Sequence, residues 1–385
     1  MQAGQKFRKH RVPDIGPSVV DSDPACYNIH MEKKNYRRAD AKRLTELASL
    51  SLQKVGVSRD DADLTAAILV DADLRGIKTH GVMNLYSYYV KKVQDGIING
   101  KPELSVERCT PTTALLDADN GLGFIASHRA MELAIEMAEE YGMGWVNVFN
   151  SNHNGAGSYY VNMAAEAGML GMQFSTGGNS VAAPGGKGKL VGNNVLAFAA
   201  PAGKNPPFIF DMAPTMSIAN KAHLMSWDGE TMPEGYVIDG KGNPVTDPEG
   251  YFGPDSAVLP LGSSLSHGVH KGFGLLLMVD ILAGMLSGDG GSMLRKKGVD
   301  THSFFAMKIG CLEGGQFTTL MDEMIEKLHR SPVQEGISSV RYPGERAAQS
   351  VEERHKTGIP LHENIAKELE AMGESLGIPC DIWLD

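Results

Sequence analysis

Beyond Pro111 the chain alternates short β-rich runs with apolar-periodic segments: TTALLDA leads into SHRAMELAIEMAEEYG, WVNVFNS leads into GSYYVNMAAEAG, and LGMQFS follows. Short runs of β-branched and aromatic residues read as strands, and apolar recurrence every three to four residues reads as helix. That alternation confines the fold to the α/β classes. After the glycine-rich stretch TGGNSVAAPGGKGKLVGNN, the strand candidates VLAFAAP and PFIFDMA succeed one another, so a mixed sheet is expected rather than an all-parallel one. Asp-Gly and Asn-Pro within EGYVIDGKGNPVTDPEG mark a hairpin.

The flanks are helical. Leu44, Leu47, Leu50 and Val55 share one face of a first helix, and Ser58 with Asp61 caps a second that Gly76 ends. A third helix presents Val82, Leu85, Tyr86, Tyr89 and Val90. Past Gly310 come FTTLMDEMIEKLHR and HENIAKELEAMGESLG, joined through RYPGER. The expected organisation is a mainly helical domain from 31–112 and 331–385, an α/β cofactor-binding domain at 113–330, and a disordered extension over 1–30. The extension lacks an apolar signal core, and Asp14, Asp21 and Asp23 argue against a mitochondrial presequence. Gly272–Gly288 is the most apolar run, shorter than the roughly 20 residues that span a bilayer, and reads as a buried core helix.

Lys and Arg total 36 against 46 Asp and Glu, a net charge of −10 that disfavours nucleic acid and anionic membrane as partners. Cys26, Cys109, Cys311 and Cys380 have no metal-type or disulfide-type spacing, which points to a reducing, cytoplasmic setting without a metal.

Four constellations carry candidate chemistry. In DLRGIKTHG, Thr79 is placed to cap the third helix and put His80 in its first turn, where the helix dipole lowers an imidazole pKa; Arg75 offers a fork for a carboxylate. Solvated surface residues are the alternative. His153, in FNSNHNGAG, follows a strand at its carboxyl end, where ligands of α/β sheets gather. Asp211, in FDMAPT, marks a strand-to-helix junction that either receives a phosphate or ribose or is simply an N-cap. Lys271, in HGVHKGFG, opens the apolar helix, where a cation disfavoured by the dipole suggests an anion nearby; His267 and His270 lack a convergent carboxylate for a metal.

The stretch GLGFIA at Gly121–Ala126 matches a dinucleotide glycine pattern, but WVNVFNSN ends without the acid that would hold a ribose. Asp117 and Asp119 would also repel a pyrophosphate. A close strand-to-helix turn is the better reading.

In order, DLRGIKTHG, GLGFIASHRAMELAI, NSNHNGAGSY, FDMA, LPLG with HKGFGLLLMVDILAGMLSG, and RYPGER resemble the NAD(P)-dependent malate/L-lactate dehydrogenase family, which includes ureidoglycolate, sulfolactate and diketogulonate oxidoreductases. The resemblance runs from about Arg38 to about Pro360. It implies a homodimer with a non-Rossmann, largely antiparallel or mixed sheet, and NAD or NADP as cofactor. It also implies hydride exchange with a small 2-hydroxy or 2-oxo acid. His80 or His153 would handle the proton, with Arg75 and Thr79 toward the substrate. Cofactor contacts would fall on Ser175, Thr176 and Gly177, on Asp211, Met212 and Ala213, on His270, Lys271 and Gly272, and on Gly344, Glu345 and Arg346. Thr79 replaces the usual Ser, Ser175-Thr176-Gly177 replaces Thr-Asn-Ser, Asn194-Val195 replaces Asn-Pro, and Ser263–Val269 lengthens the approach to Lys271. The same proton donor and hydride would serve a reductase of cyclic 2-imino acids, and a catalytically silent binding protein is the reading from another class.

Overall fold

The computed structural model describes residues 35–295, 300–312 and 315–384. The expected N-terminal extension lies outside them. The centre is a seven-stranded sheet of order β2-β3-β4-β13-β5-β8-β9, built from β2 (Ser105–Thr110), β3 (Thr113–Asp117), β4 (Met143–Ser151), β5 (Met169–Ser175), β8 (Val195–Ala200), β9 (Phe208–Met212) and β13 (Asp300–Lys308). Only β3 and β4 run parallel; the other pairs are antiparallel, so the sheet is mixed and largely antiparallel as expected. β13 was not anticipated from the sequence. It separates β4 from β5, pairing Phe304 with Val146 on one side and with Gln173 on the other.

α4 (Gly123–Tyr141) and α5 (Gly157–Glu166) pack on this sheet through buried Phe124, Met131, Leu133, Tyr160 and Val161. The same core takes in α1 (Ala41–Lys54) and α2 (Arg59–Leu74). α2 starts and stops as read: Ser58 Oγ accepts from the Asp61 amide, and Gly76 has φ +82. The face of α1 is rotated from the expectation, because Leu44, Leu47, Ala48 and Leu52 are buried while Leu50 is exposed. β1 (Tyr36–Ala39) pairs antiparallel with β14 (Ile359–His362), and α11 (Glu363–Leu376) packs nearby, so the two ends of the described chain meet. α10 (Glu345–Thr357) contacts α2, and α9 (Phe317–His329) precedes the RYPGER loop.

A smaller five-stranded sheet joins β6 (Asn179–Val181), β7 (Val191–Gly192), β10 (Val237–Ile238), β11 (Pro244–Val245) and β12 (Ala257–Val258); β10 and β11 form the expected hairpin. α6 (Ala219–Trp227) and α7 (Val269–Val279) lie against it. The expected third helix is a composite: a 3₁₀ turn at Val82–Asn84, a π-helical stretch at Leu85–Val90, and α3 (Lys91–Gln94).

The apolar run does not form a helix buried all round. α7 passes into a π-helical stretch at Asp280–Met285 before the short α8 (Gly291–Leu294). Leu276, Val279 and Ala283 face the core, whereas Met278, Ile281, Met285 and Leu286 are exposed. Among the described residues no helix is long and apolar enough to cross a membrane.

Candidate active site

The strand directions bring one set of termini to one edge of the large sheet. The carboxyl ends of β4, β5 and β9 lie beside the amino ends of β13 and β8, as the pairings Asp300 with Ser151, His302 with Ser175, Ser175 with Val195, and Leu196 with Met212 show. His153 leaves β4 at this edge, and the loop after α2 delivers His80 opposite it. The two imidazoles stack with centroids 5.7 Å apart and planes 16° from parallel.

The local frame of His80 corrects the helix-cap expectation. Gly81, not Thr79, precedes the 3₁₀ turn, and the Val82 amide donates to Asp73 Oδ2 at 2.8 Å. The Asp73 carboxyl is buried beside Gly81, and that burial pushes it up to about 7. His80 therefore lies before the helix, and burial rather than the dipole lowers its pKa, opposed by the nearby Asp211 carboxylate. Thr79 Oγ1 is 2.8 Å from His80 Nδ1 and fixes the ring.

His153 is held by different partners. Its Nδ1 lies 2.5 Å from Tyr89 Oη and receives the Gly155 amide at 3.3 Å. An acceptor at Nδ1 leaves the neutral ring's proton on Nε2. Burial, with His80, His302 and Lys92 around it, depresses His153 to about 3, so it is neutral in ordinary buffers. The Tyr88 ring sits 5.8 Å from His153, and Lys92 Nζ lies 3.5 Å over that ring.

Asp211 does not cap the helix that follows it, since α6 begins eight residues later behind Ile218. It accepts the Ser158 amide at 2.8 Å in the first turn of α5, so its capping chemistry is exerted across the sheet. Burial raises its pKa, opposed by that amide and by His80.

Among the predicted cofactor residues, Ser175 and Thr176 are buried, and their hydroxyls are engaged within the protein: Ser175 Oγ with His302 Nδ1 at 2.6 Å, and Thr176 Oγ1 with Thr301 Oγ1 at 2.9 Å. Arg295, paired with Asp300 at 3.2 Å, donates to Thr176 Oγ1 and the Gly177 carbonyl, both at 3.1 Å. What this loop offers a ligand is backbone, and open space lies above Gly178. Met212 ends β9 at the same edge, and Ala213 follows it. The next residue, Pro214, accepts from the Leu261 amide at 2.9 Å, and Leu261 packs on Gly272. That contact brings exposed His270 and Lys271, in the first turn of α7, toward the β9 end. Gly344 (φ +99) lies so close to Ile209 and Pro207 that a side chain would strike their backbone, while the Ile209 amide donates to Pro343 at 3.0 Å. Glu345 pairs with His329 at 3.0 Å, and Arg346 is exposed one residue on. Two exposed cations, an acidic acceptor and the backbone of glycine turns around β9 suit the phosphates, hydroxyls and amide of a nicotinamide dinucleotide. Arg75 pairs with Asp71 at 2.7 Å.

The glycines of GLGFIA are packed against protein, Gly121 on Pro102 and Gly123 on Asn152. Gly123 starts α4 so close to the Asn152 carbonyl that a Cβ would overlap it, which makes this turn the seat of the loop bearing His153. Sequence reading missed His302, Tyr89 as the partner of His153, and Asp73. Asp73 lay inside DLRGIKTHG and Tyr89 on the apolar face of the third helix, whereas His302 lay in no marked stretch.

Two stacked histidines, one beside a carboxylate, lie at the strand-end edge of a non-Rossmann sheet, an α/β architecture whose edge gathers the titratable groups. Residues 39–370 match the malate/L-lactate dehydrogenase family, and the chain belongs to that family. It is 38% identical to a malate dehydrogenase of Pyrococcus horikoshii over 90% of this chain and 97% of that one. The solved structure of P. horikoshii malate dehydrogenase superposes with a TM-score of 0.82 at 36% identity, over 90% of this chain and 97% of that one. An L-sulfolactate dehydrogenase of Methanothermobacter thermautotrophicus is 31% identical over 86% of this chain and 95% of that protein. A ureidoglycolate dehydrogenase (NAD(+)) of Escherichia coli is 35% identical over 64% of this chain and 67% of that protein. The chain is an NAD(P)-dependent hydroxy acid dehydrogenase.

Proposed function

We propose that His80 is the acid–base residue of this dehydrogenase and that His153 is a neutral hydrogen-bond donor to the same substrate oxygen. The observation that carries this is the difference in their surroundings: His80 has the Asp211 carboxylate beside it, and His153 Nδ1 is occupied by Tyr89 and the Gly155 amide. A carboxylate favours the charged imidazole that proton exchange needs, whereas an imidazole locked neutral can only polarise an oxygen. The bound nicotinamide supplies or accepts the hydride. Ser175–Gly177, Asp211–Ala213, His270–Gly272 and Gly344–Arg346 hold it, and Arg75, oriented by Asp71, receives the substrate carboxylate.

The favoured substrates are 2-hydroxy acids with a second acidic group, as malate and sulfolactate are. Lys92, held over Tyr88 beside His153, supplies a cation on that side of the site. Replacing Lys92 by Met lowers kcat/KM for oxaloacetate about tenfold or more relative to pyruvate, a loss on the scale of one charge-assisted contact; an unchanged ratio removes Lys92 from the substrate.

Two copies associate through the exposed face of Met278, Ile281, Met285 and Leu286, and the free thiols of Cys109 and Cys380 accord with a cytoplasmic setting. The central test is oxidation of NADH or NADPH with oxaloacetate, pyruvate and a cyclic imino acid. His80→Ala lowers kcat by roughly 10²–10⁴; His153→Ala lowers it less, with the pH profile kept. Full activity in both variants, or turnover of the imine alone, defeats this reading.

A further inference from the structure

The buried ring of His302 makes no use of the apolar core around it. It projects from the second residue after the bulged start of β13, fully enclosed, and its ring nitrogens reach groups belonging to two loops of the site. Nδ1 lies 2.6 Å from Ser175 Oγ, at the start of the loop assigned to the cofactor. Nε2 lies 3.1 Å from both the Asn152 carbonyl and Ser151 Oγ, in the turn that carries His153.

The partners fix the tautomer. A carbonyl can only accept, so the proton sits on Nε2, and Nδ1 must then accept from the Ser175 hydroxyl. Ser175 Oγ in turn takes a hydrogen bond from the Gln173 amide. The bonds thus run one way, from Gln173 through Ser175 and His302 to the Asn152 carbonyl. Burial holds His302 down to about 3, with Arg295 also acting against its charge, so no proton joins or leaves this line at ordinary pH. The adjoining residues of β13 reinforce the seat: Thr301 exchanges backbone and side-chain bonds with Thr176, and Asp300 pairs with Arg295, which grips Gly177.

We propose that His302, in its Nε2–H form, is a positioning residue that ties the turn bearing His153 to the loop that receives the nicotinamide, setting the distance between the hydrogen-bond donor to the substrate oxygen and the hydride partner. The proposal rests on the dehydrogenase reading above. Distances of this kind control turnover strongly, since a misplacement of about 1 Å can cost on the order of a hundredfold.

Two variants and one spectrum test it. His302→Phe keeps a buried ring and loses both bonds, whereas His302→Gln can still donate to Asn152 and accept from Ser175. With saturating 2-oxo acid and NAD(P)H, the Phe variant is expected to lose about tenfold or more in kcat per folded molecule, with the shape of its pH profile kept. The Gln variant recovers most of that loss, and Trp fluorescence titration shows NAD(P)H binding weakened more in Phe than in Gln. In ¹⁵N-histidine spectra of the wild type, His302 shows a protonated Nε2 and a bare Nδ1 at neutral pH. A Phe variant with normal kcat, a Gln variant no better than Phe, or the opposite tautomer overturns the proposal. If the Phe variant does not fold, kcat of the Gln variant within a few-fold of wild type together with the spectrum supports it, and failure of either overturns it. Wild-type protein inert toward every 2-oxo acid defeats the dehydrogenase reading alone, and the tautomer then decides whether the bridge exists.

Discussion

His80 and His153 are alike in type and stacked in space, yet their neighbours separate them. Removing the carboxylate tests the division. Asp211→Asn takes away what favours charged His80, so the His80 pKa falls further. Reduction of a 2-oxo acid needs protonated His80 and declines as pH rises through that pKa; in the variant the decline moves to lower pH. The acid-side rise of 2-hydroxy acid oxidation moves the same way, since it needs the neutral ring. Profiles of kcat for both directions check this, and an unmoved pair of limbs detaches Asp211 from His80. At this scale the sequence exposed both histidines, because each sits in a short polar, glycine-flanked stretch. It could not expose the cause of their pKa shifts. Thr79 looked like a cap, but Asp73, nine residues before Val82, takes the amide through a tertiary contact that local spacing does not encode. His302 was hidden for the same reason, since its meaning comes from Ser175 and Asn152, both more than a hundred residues away in sequence.

Elements with strong local patterns were legible, and those defined by partners were not. β4 and α4 declared themselves through continuous apolar periodicity. β13 (DTHSFFAMK) opens with polar residues that are buried only because β4 and β5 flank them, so its polarity reads as loop. α10 buries Ser350 alone, which leaves its sequence without an apolar stripe. The apolar run Gly272–Gly288 looked like a core helix because composition does not tell a buried face from an exposed one. The turn into α4 can be tested directly. Gly123→Ala drives a methyl into the Asn152 carbonyl, and overpacking of this sort costs about 1–3 kcal/mol. Denaturant unfolding should show that loss, and kcat should fall with it because the displaced backbone leads into His153. A stable variant with normal kcat would mean the turn has slack.

For the whole molecule, the exposed Met278, Ile281, Met285 and Leu286 form a face that water disfavours, and it is backed by a buried polar link to the cofactor loop. Asp280 Oδ1 accepts from Asn194 at 2.8 Å, and Asn194 Oδ1 accepts from the Gly177 amide at 3.1 Å. Ile281→Glu places a charge in that face, and light scattering should show the proposed dimer of the wild type giving way to monomer at micromolar concentration; a monomeric wild type removes the dimer. A dimer that survives the change puts the interface elsewhere. The position of β13 has a last consequence, in time rather than space. β4 and β5 are made early from the ribosome but do not touch; the strand that joins them arrives some 125 residues after β5 ends. Pairings so distant in sequence close slowly. The turn bearing His153 therefore meets the Ser175–Gly177 loop only when β13 (Asp300–Lys308) has been delivered and threaded into the middle of the sheet. Enzyme activity should then return during refolding after the helix signal has recovered, in step with completion of the sheet signal.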